Sequence, residues 1–265
     1  MFEKSRSNAP LRSICALSTA LVLLSACSGG NSALPGVNAL TNAPLVLKST
    51  DFKFIVAWGS TGKQAVAQCP QGYKVVAGGS SSSDGSKVGT GFADSRGTSW
   101  IVKPQSGAAG ESFATCIKKA GLGKLFHWRV GLPNNGLAAA QCQTNDELVT
   151  GYGNGGSVTD SWFDPSTNTY WVSGGGTAFA SCVGKKAGLL VNHAWNKSQN
   201  PNAVFAGCGS GYTVIGGAMG NSAWPGPPIQ QHPGTKAGPS HHGYDGWWTF
   251  SDAYNELTWA ACVQT

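Results

Sequence analysis

The sequence AQCPQGYKVVAGG at residues 67–79 occurs in two further, divergent copies, AQCQTNDELVTGY at 140–152 and AGCGSGYTVIGGA at 206–218. Each copy has a cysteine at its third position, followed by a short apolar run that ends in glycine or a small residue. The three cysteines are separated by 73 and then 66 residues. Recurrence at a period of this length indicates internal structural repeats.

Each copy also closes on a second motif with a cysteine at its fourth position: FATCI at 113–117, FASCV at 179–183 and WAACV at 259–263. A tryptophan precedes the first cysteine motif of each copy, at Trp58, Trp128 and Trp195, and another lies between the two motifs, at Trp100, Trp171 and Trp248. We expect these six side chains to belong to the core. The repeats span about 52–120, 121–187 and 188–265.

Short apolar or alternating runs fill each copy and are bounded by Gly, Ser and Pro, which is typical of strands. Examples in the first copy are Gln64–Cys69, Tyr73–Gly78, Ser99–Lys103 and Glu111–Lys118. No segment has the 3.6-residue period of a helix. We therefore predict an all-β fold of four strands per copy, arranged as a three-fold pseudo-symmetric β-prism of three four-stranded Greek-key repeats, each with one disulfide.

The motif Cys69-Pro70-Gln71-Gly72, recurring with glycine and tryptophan, resembles the β-prism proteins of the vitelline-membrane outer layer type. That resemblance also implies a three-sheet prism over residues 51–265. The alternatives are a three-bladed propeller-like array and a β-trefoil, whose repeats are shorter than those of this chain.

Eight cysteines divide into two groups. Cys15 lies in the export segment and Cys27 is the expected lipidation site, which leaves three pairs for disulfides in an oxidising compartment. Pairing inside each copy, or either of two patterns that join neighbouring copies, would respect three-fold symmetry. We favour the internal pairing, because a Greek key places its fourth strand beside its first; it joins Cys69 to Cys116, Cys142 to Cys182 and Cys208 to Cys262.

The N-terminus has the layout of a secretory signal, with basic residues before an apolar run at 14–24 that is too short to span a bilayer. The run ends in Leu24-Ser25-Ala26-Cys27, which resembles the lipobox of bacterial lipoproteins. The resemblance implies that residues 1–26 are removed, that Cys27 is lipidated, and that Ser28 directs the protein to the outer membrane. The alternative is a plain secretory signal that leaves Cys27 as an ordinary thiol. Residues 27–50, rich in Ser, Ala, Asn, Pro and Gly, predict a flexible tether in the cell envelope.

Composition excludes several classes of function. Removal of residues 1–26 leaves 15 basic against 11 acidic residues, scattered along the chain, so we expect no nucleic-acid partner. The glycines at 151–156 match a dinucleotide motif, but no helix pattern follows them, and we predict no cofactor. The chain contains no recognisable catalytic motif, and we assign no catalytic residue and no metal site.

The third copy departs from the other two by a Pro-, Gly- and His-rich insert. Loops that interrupt a regular scaffold often carry function. We therefore predict that ligand-binding residues lie in this insert, namely Trp224, His232, His241, His242, Tyr244, Asp245 and Trp247.

Three functions remain open from the sequence. The first is a lipid-anchored surface module that recognises a glycan or a protein partner in a lectin-like or adhesin-like way. The second is a polysaccharide hydrolase, which requires that some of Asp160, Asp164, Asp245 and Asp252 converge. The third is a structural envelope or secretion-system accessory lipoprotein, which predicts a flat apolar patch.

Overall fold

A computed structural model of the chain describes residues 49–82, 88–104, 107–155, 158–184, 191–198, 203–220, 230–234, 245–250 and 256–264. These residues form strands, turns and two short 3-10 helices, Ser49–Asp51 and Gly121–Leu125, and contain no α-helix. The all-β prediction is therefore confirmed. Among the described residues, no helix is long and apolar enough to cross a membrane.

The first copy contains six strands in two antiparallel, three-stranded groups. Three longer strands pair in the order β1-β6-β3, and three shorter ones in the order β2-β5-β4. The strands are β1 Phe52–Trp58, β2 Ala65–Gln68, β3 Tyr73–Ser82, β4 Val88–Ala93, β5 Ser99–Pro104 and β6 Gly110–Lys118.

The second and third copies repeat this strand order. In the second copy the long group is β7-β12-β9 and the short group is β8-β11-β10; in the third they are β13-β18-β15 and β14-β17-β16. The strands are β7 Phe126–Gly131, β8 Leu137–Gln141, β9 Asp146–Asn154, β10 Asp160–Asp164, β11 Thr169–Ser173, β12 Thr177–Gly184, β13 Val191–Ser198, β14 Val204–Gly207, β15 Tyr212–Gly220, β16 Gln230–Gly234, β17 Gly246–Phe250 and β18 Glu256–Gln264.

The predicted number of four strands per copy is too low, because the described residues of each copy already form six. The sequence pattern missed β1 and β4 of the first copy, together with their counterparts. Strand β4 has the sequence VGTGFA, whose two glycines interrupt the alternation that identifies a strand.

The disulfides join the long and short groups inside each copy. Cys69 pairs with Cys116, Cys142 with Cys182 and Cys208 with Cys262. This is the internal pattern favoured from the sequence. Each bond closes a loop of 40 to 54 residues, which in the chain-entropy model stabilises the fold by about 4 kcal/mol.

Next to each disulfide, a buried aromatic ring lies against a glycine of the neighbouring long strand. A Cβ atom added at Gly78, Gly151 or Gly217 would lie 2.0, 2.1 or 2.4 Å from the ring of Trp100, Tyr170 or Trp247, respectively. All three rings are at most 1% exposed. The ring can pack this closely only because glycine has no side chain.

The tryptophans therefore contribute to the core differently from the prediction. Trp100 is buried as expected, but the positions equivalent to it are Tyr170 and Trp247, whereas Trp171 and Trp248 are only half-buried. Trp58 is 54% exposed. Trp58, Trp128 and Trp195 also occupy different registers, opposite Glu111, Ser181 and Trp259. Of these three, Trp128 is half-buried and the side chain of Trp195 lies outside the described residues.

The inner strands β3, β9 and β15 of the three copies meet in a shared core. A Cβ atom at Gly216 would lie 2.3 Å from the carbonyl oxygen of Val149 and 3.1 Å from the Cβ of Ala77. The buried Thr150 hydroxyl donates a 2.7 Å hydrogen bond to the carbonyl of Gly217. The three copies are thus held together by direct contact of their inner strands as well as by chain connectivity.

Neighbouring copies also meet edge to edge, through a long group of one and a short group of the next. Strand β3 pairs with β16 through Ser80 and Gln231, and β15 pairs with β10 through Gly220 and Phe163. Each pairing extends a sheet to six strands. Strand β9 contacts β4 in the same way, but without backbone pairing among the described residues, so these two groups remain separate three-stranded sheets.

We expect Gly78→Ala to destabilise the protein by about 3 kcal/mol or more, since the added methyl group overlaps the ring of Trp100. Gly184→Ala is the matched control, because its nearest neighbour is 3.8 Å away and its change should stay within about 0.5 kcal/mol. Chemical denaturation of both variants measures the difference. Equal stabilities would contradict the proposed role of the aromatic-glycine contact.

Candidate ligand-binding cleft

The edge between β9 and β4 differs from the two paired edges by one bulky side chain. Alignment through strand pairing places Tyr152 at the position of Gly79 in the first copy and Ala218 in the third. Tyr152 packs with Trp128 and Phe179 of its own copy and also belongs to the core cluster of the first copy, with Val75, Trp100 and the Cys69–Cys116 disulfide. A tyrosine replaces the glycine or alanine that accompanies direct strand pairing at the other two edges.

The facing short strand shows the opposite change in size. Phe163 of β10 is buried and packs on Trp259, with ring centroids 4.6 Å apart. The equivalent residue of β4 is Ala93, and the counterpart of Trp259 is Phe179. The aromatic volume that closes the edge between the second and third copies is therefore absent from β4, and only Tyr152 partly replaces it.

A cavity of about 620 Å³ lies at this unpaired edge. We call it the aromatic cleft. Its walls are the rings of Phe92, Trp128, Tyr152 and Phe179, and its rim carries Lys74, Asp94, Ser95, Arg96, Lys119 and Asn154. The volume falls within the range of about 300–1,000 Å³ that is typical of small-ligand pockets, and so does the mixture of aromatic walls with a few polar groups.

The rings of the aromatic cleft support one another. Tyr152 stacks on Phe179 at 4.7 Å with an angle of 4° between the planes, and it meets Trp128 edge-on at 5.6 Å. Trp128 in turn stacks on the buried Trp100 at 6.5 Å. Trp128 and Phe179 are only half-buried, so part of each ring remains accessible on the cleft side.

The hydroxyl of Tyr152 links the two copies where their backbones do not pair. It forms a hydrogen bond with the backbone of Ala93, close to the carboxylate of Asp94. Burial raises the pKa of Tyr152 well above its usual value; the hydrogen bond with the Ala93 backbone lowers the pKa by less, and the negative charge of Asp94 raises it. The hydroxyl therefore stays protonated and acts as a neutral hydrogen-bonding group rather than as an acid or base at neutral pH.

Asp94 shapes the turn that forms one side of the rim. Its carboxylate accepts hydrogen bonds from the backbone N–H groups of Thr98 and Ser99, at 2.6 and 3.1 Å, and from the hydroxyl of Thr98, at 2.8 Å. The carbonyl of Gly97 accepts a 2.8 Å bond from the N–H of Val75. These bonds fix the turn between β4 and β5 against the long strand β3, which makes this side of the cleft rigid.

Lys74 spans the junction from the first copy to the second. Its ammonium group donates a short hydrogen bond to the carbonyl of Phe126, at the start of β7. The pKa of Lys74 is lowered, first by burial and then by the nearby charge of Lys119. Two cations thus share this end of the cleft, the half-buried Lys74 and the exposed Lys119.

A second cavity, of about 630 Å³, lies beside the equivalent turn of the second copy and provides an internal comparison. Asp164 holds this turn by accepting hydrogen bonds from Ser166 and Thr167, and these bonds lower its pKa. Phe163 is the one aromatic residue in the described lining of this cavity, and Glu147 stands at the position of Lys74. The second cavity therefore lacks both the exposed aromatic walls and the positive charge of the aromatic cleft.

Among the binding residues predicted in the third copy, Trp247 and Asp245 are the two whose side chains lie within the described residues. Trp247 is fully buried against Gly217, so we assign it to the core rather than to a ligand-binding surface. Asp245 is exposed, and its carbonyl accepts a 2.6 Å bond from the N–H of Cys208. His232 lies in strand β16, opposite Trp248, and its side chain is outside the described residues. Trp224, His241, His242 and Tyr244 lie outside the described residues altogether, as does Cys27.

Of the carboxylates proposed for a hydrolase, Asp164 and Asp245 have side chains within the described residues. Asp164 is engaged with its own turn and Asp245 lies in an exposed turn. The side chain of Asp160 and the whole of Asp252 fall outside the described residues. Within the described part of the chain, no three His, Cys, Asp or Glu residues cluster in a way that would hold a metal ion.

Sequence reasoning missed the aromatic cleft, although one signal for it was present. Tyr152 stands in an alignment column that otherwise contains Gly79 and Ala218, and a bulky residue among small ones marks a local departure from the repeat. The remaining walls, Phe92, Trp128 and Phe179, come from both copies. Their convergence depends on how the first two copies meet, which no single repeat reveals.

We expect Tyr152→Ala to cost about 3–5 kcal/mol of stability, because it removes a 5% exposed ring from between two copies. Tyr152→Phe removes only the hydroxyl and should cost about 1 kcal/mol. Tyr73→Ala, the same truncation at a half-buried strand start, is the control and should cost less than Tyr152→Ala. Denaturation curves would contradict the bridging role of Tyr152 if the two alanine variants were equally stable.

Comparisons with known proteins do not assign the chain to a family. No protein-family model matches it, and no curated protein is significantly similar in sequence. The function is therefore inferred from the chemistry of the cleft.

Proposed function

We propose that this chain is an exported lipoprotein, anchored through Cys27, whose β-rich part is a glycan-binding module. The observation that carries the proposal is the aromatic cleft. The faces of sugar rings present C–H groups, which pack well on the electron-rich faces of aromatic side chains. The half-buried rings of Phe92, Trp128 and Phe179 offer such faces, and Asn154 and the charged rim offer hydrogen bonds to hydroxyl groups.

The charges of the cleft favour binding over hydrolysis. A glycosidase uses two carboxyl groups on opposite sides of the scissile bond. The described lining of the cleft contains one carboxylate, Asp94, and three hydrogen bonds hold it in its turn. The concave shape of the cleft likewise favours a small ligand. A structural envelope or secretion-system component would instead be expected to present a flat apolar surface.

We also propose that the three copies form a β-prism with three-fold pseudo-symmetry. The same six-strand order in each copy supports this arrangement. The contacts between copies also support it, because they follow one another in a ring. The long group of the first copy meets the short group of the third, the long group of the third meets the short group of the second, and the long group of the second meets the short group of the first. In this arrangement the cleft marks the one edge of the three that lacks backbone pairing among the described residues.

The lipid anchor would hold this module at the outer membrane, with residues 27–50 as a tether. The sequence Leu24-Ser25-Ala26-Cys27 and the following Ser28 support this location. A tethered module with a preformed cleft is suited to capture glycans at or near the cell surface.

We expect the protein to bind a subset of glycans on an array and Trp128→Ala to abolish that binding. The substitution removes the largest accessible ring of the cleft. Trp162→Ala is the matched control, because Trp162 is also half-buried and stacked on a neighbouring ring, Trp171, at 6.2 Å, but does not line the cleft.

A third variant separates the cleft from the insert of the third copy. Replacing residues 235–244 by a short Gly-Ser turn leaves strand β16 in its sheet and should preserve glycan binding. If the loop replacement abolished glycan binding and Trp128→Ala did not, the binding site would lie in the insert. Absence of binding by the unmodified protein to any glycan would overturn the glycan-binding proposal.

We expect Cys27→Ser to abolish both incorporation of labelled palmitate and recovery of the protein in the membrane fraction. The reason is that the predicted lipid is attached through the thiol of Cys27, which serine lacks. Ser28→Ala is the control and should remain labelled. An unlabelled, secreted wild-type protein would instead indicate a plain secretory signal.

A further inference from the structure

The described lining of the aromatic cleft is positively charged. It contains three cationic side chains, Lys74, Arg96 and Lys119, and one carboxylate, Asp94. The carboxylate accepts hydrogen bonds from Thr98 and Ser99 within its own turn. The negative charge of Asp94 is therefore stabilised by hydrogen bonds within its own turn. Arg96 and Lys119 are exposed at the rim.

The position of Lys74 makes this charge significant for a ligand. Lys74 is half-buried, and one of its three N–H donors is used on the carbonyl of Phe126. The repulsion by Lys119 acts in a partly dehydrated site, where charges interact more strongly than in bulk water. An anionic group that enters the cleft would relieve this repulsion and satisfy the remaining donors.

The charge is not a requirement of the repeat. At the position of Lys74 the second copy has Glu147 and the third has Thr213. The second cavity, which contains Glu147, has no cationic side chain in its described lining. Positive charge and accessible aromatic rings therefore coincide at the edge between the first and second copies.

From this coincidence we propose that the cleft selects an acidic saccharide, one whose ring packs on Trp128 and Phe179 while its carboxylate or sulfate group binds Lys74, Lys119 and Arg96. This inference rests on the proposed glycan-binding function and specifies its ligand class. The aromatic walls pack on the sugar ring whether or not the sugar is charged. The cations distinguish acidic from neutral sugars. Charge-assisted hydrogen bonds of this kind are stronger than neutral ones.

The test uses the exported full chain, held in lipid nanodiscs so that detergent does not enter the cleft. Uronic-acid oligosaccharides, their carboxyl-reduced counterparts and sulfated oligosaccharides serve as probes. We expect binding to the acidic members, loss of binding after carboxyl reduction, and weaker binding at high ionic strength. The uronic-acid and sulfated arms show which anionic group is recognised.

Charge variants locate the effect in the cleft. The double variant Arg96→Gln and Lys119→Gln should bind acidic probes about tenfold or more weakly, since each lost charge-assisted contact weakens binding by that order. Lys63→Gln, which removes an exposed charge outside the cleft, should bind as the wild type does.

The outcomes separate the two proposals. Equal binding of acidic and carboxyl-reduced probes, abolished by Trp128→Ala, would overturn the acidic preference and leave glycan binding in place. Acidic binding that is unaffected by the double variant would also overturn the assignment of these cations. Failure to bind any probe, acidic or neutral, would overturn both proposals.

Discussion

The structure depends on the contact between an aromatic ring and a glycine backbone, made once in each copy. Trp100 lies on Gly78, Tyr170 on Gly151 and Trp247 on Gly217. The ring belongs to the short strand group and the glycine to the long one, so the contact sets how closely the two groups approach. The disulfide beside it joins the same two groups. Close packing and covalent linkage thus fix the same distance, which explains why the six-strand unit persists while the sequences of the copies diverge.

Packing between copies follows from side-chain volume at one position on each edge. The small side chain of Ala218 leaves room for Phe163 to pack on Trp259. At this edge β10 pairs with β15. Gly79 lies on the edge where β3 pairs with β16. Tyr152 fills the space that the facing strand would need, and β4 remains unpaired with β9 among the described residues. A large residue on β9 and a small one, Ala93, on β4 thus accompany the cleft at this edge.

The sequence predicted the part of this structure that depends on local pattern. The short apolar runs predicted the all-β class, and the two cysteine motifs of each copy, read as a Greek key, favoured the internal disulfides over the two patterns that join neighbouring copies. The identity of the core aromatics was harder, since Tyr170 and Trp171, or Trp247 and Trp248, are adjacent and only strand pairing decides which of the two faces inward. Strand β4 was missed because its glycines hide the alternation.

The cleft could not be predicted in the same way, because it belongs to two copies at once. Lys74 and Phe92 come from the first copy, and Trp128, Tyr152 and Phe179 from the second. Their separation in sequence carries no sign that they meet. We predicted the binding residues in the insert of the third copy because an irregular loop is visible in the sequence. An unpaired edge between two regular units is not visible there.

Energetics explain how such an opening persists in a stable protein. One backbone hydrogen bond between paired strands contributes a net stabilisation of about 0.5–1.5 kcal/mol. Burial of the Tyr152 ring in the core of the first copy contributes on the order of 2 kcal/mol, and its hydroxyl regains a hydrogen bond with the Ala93 backbone. The exchange of strand pairing for a buried tyrosine thus favours the open edge even without a ligand. A cleft that is already open and rigid loses little conformational freedom on binding, so the contacts of its rings and cations contribute more fully to affinity.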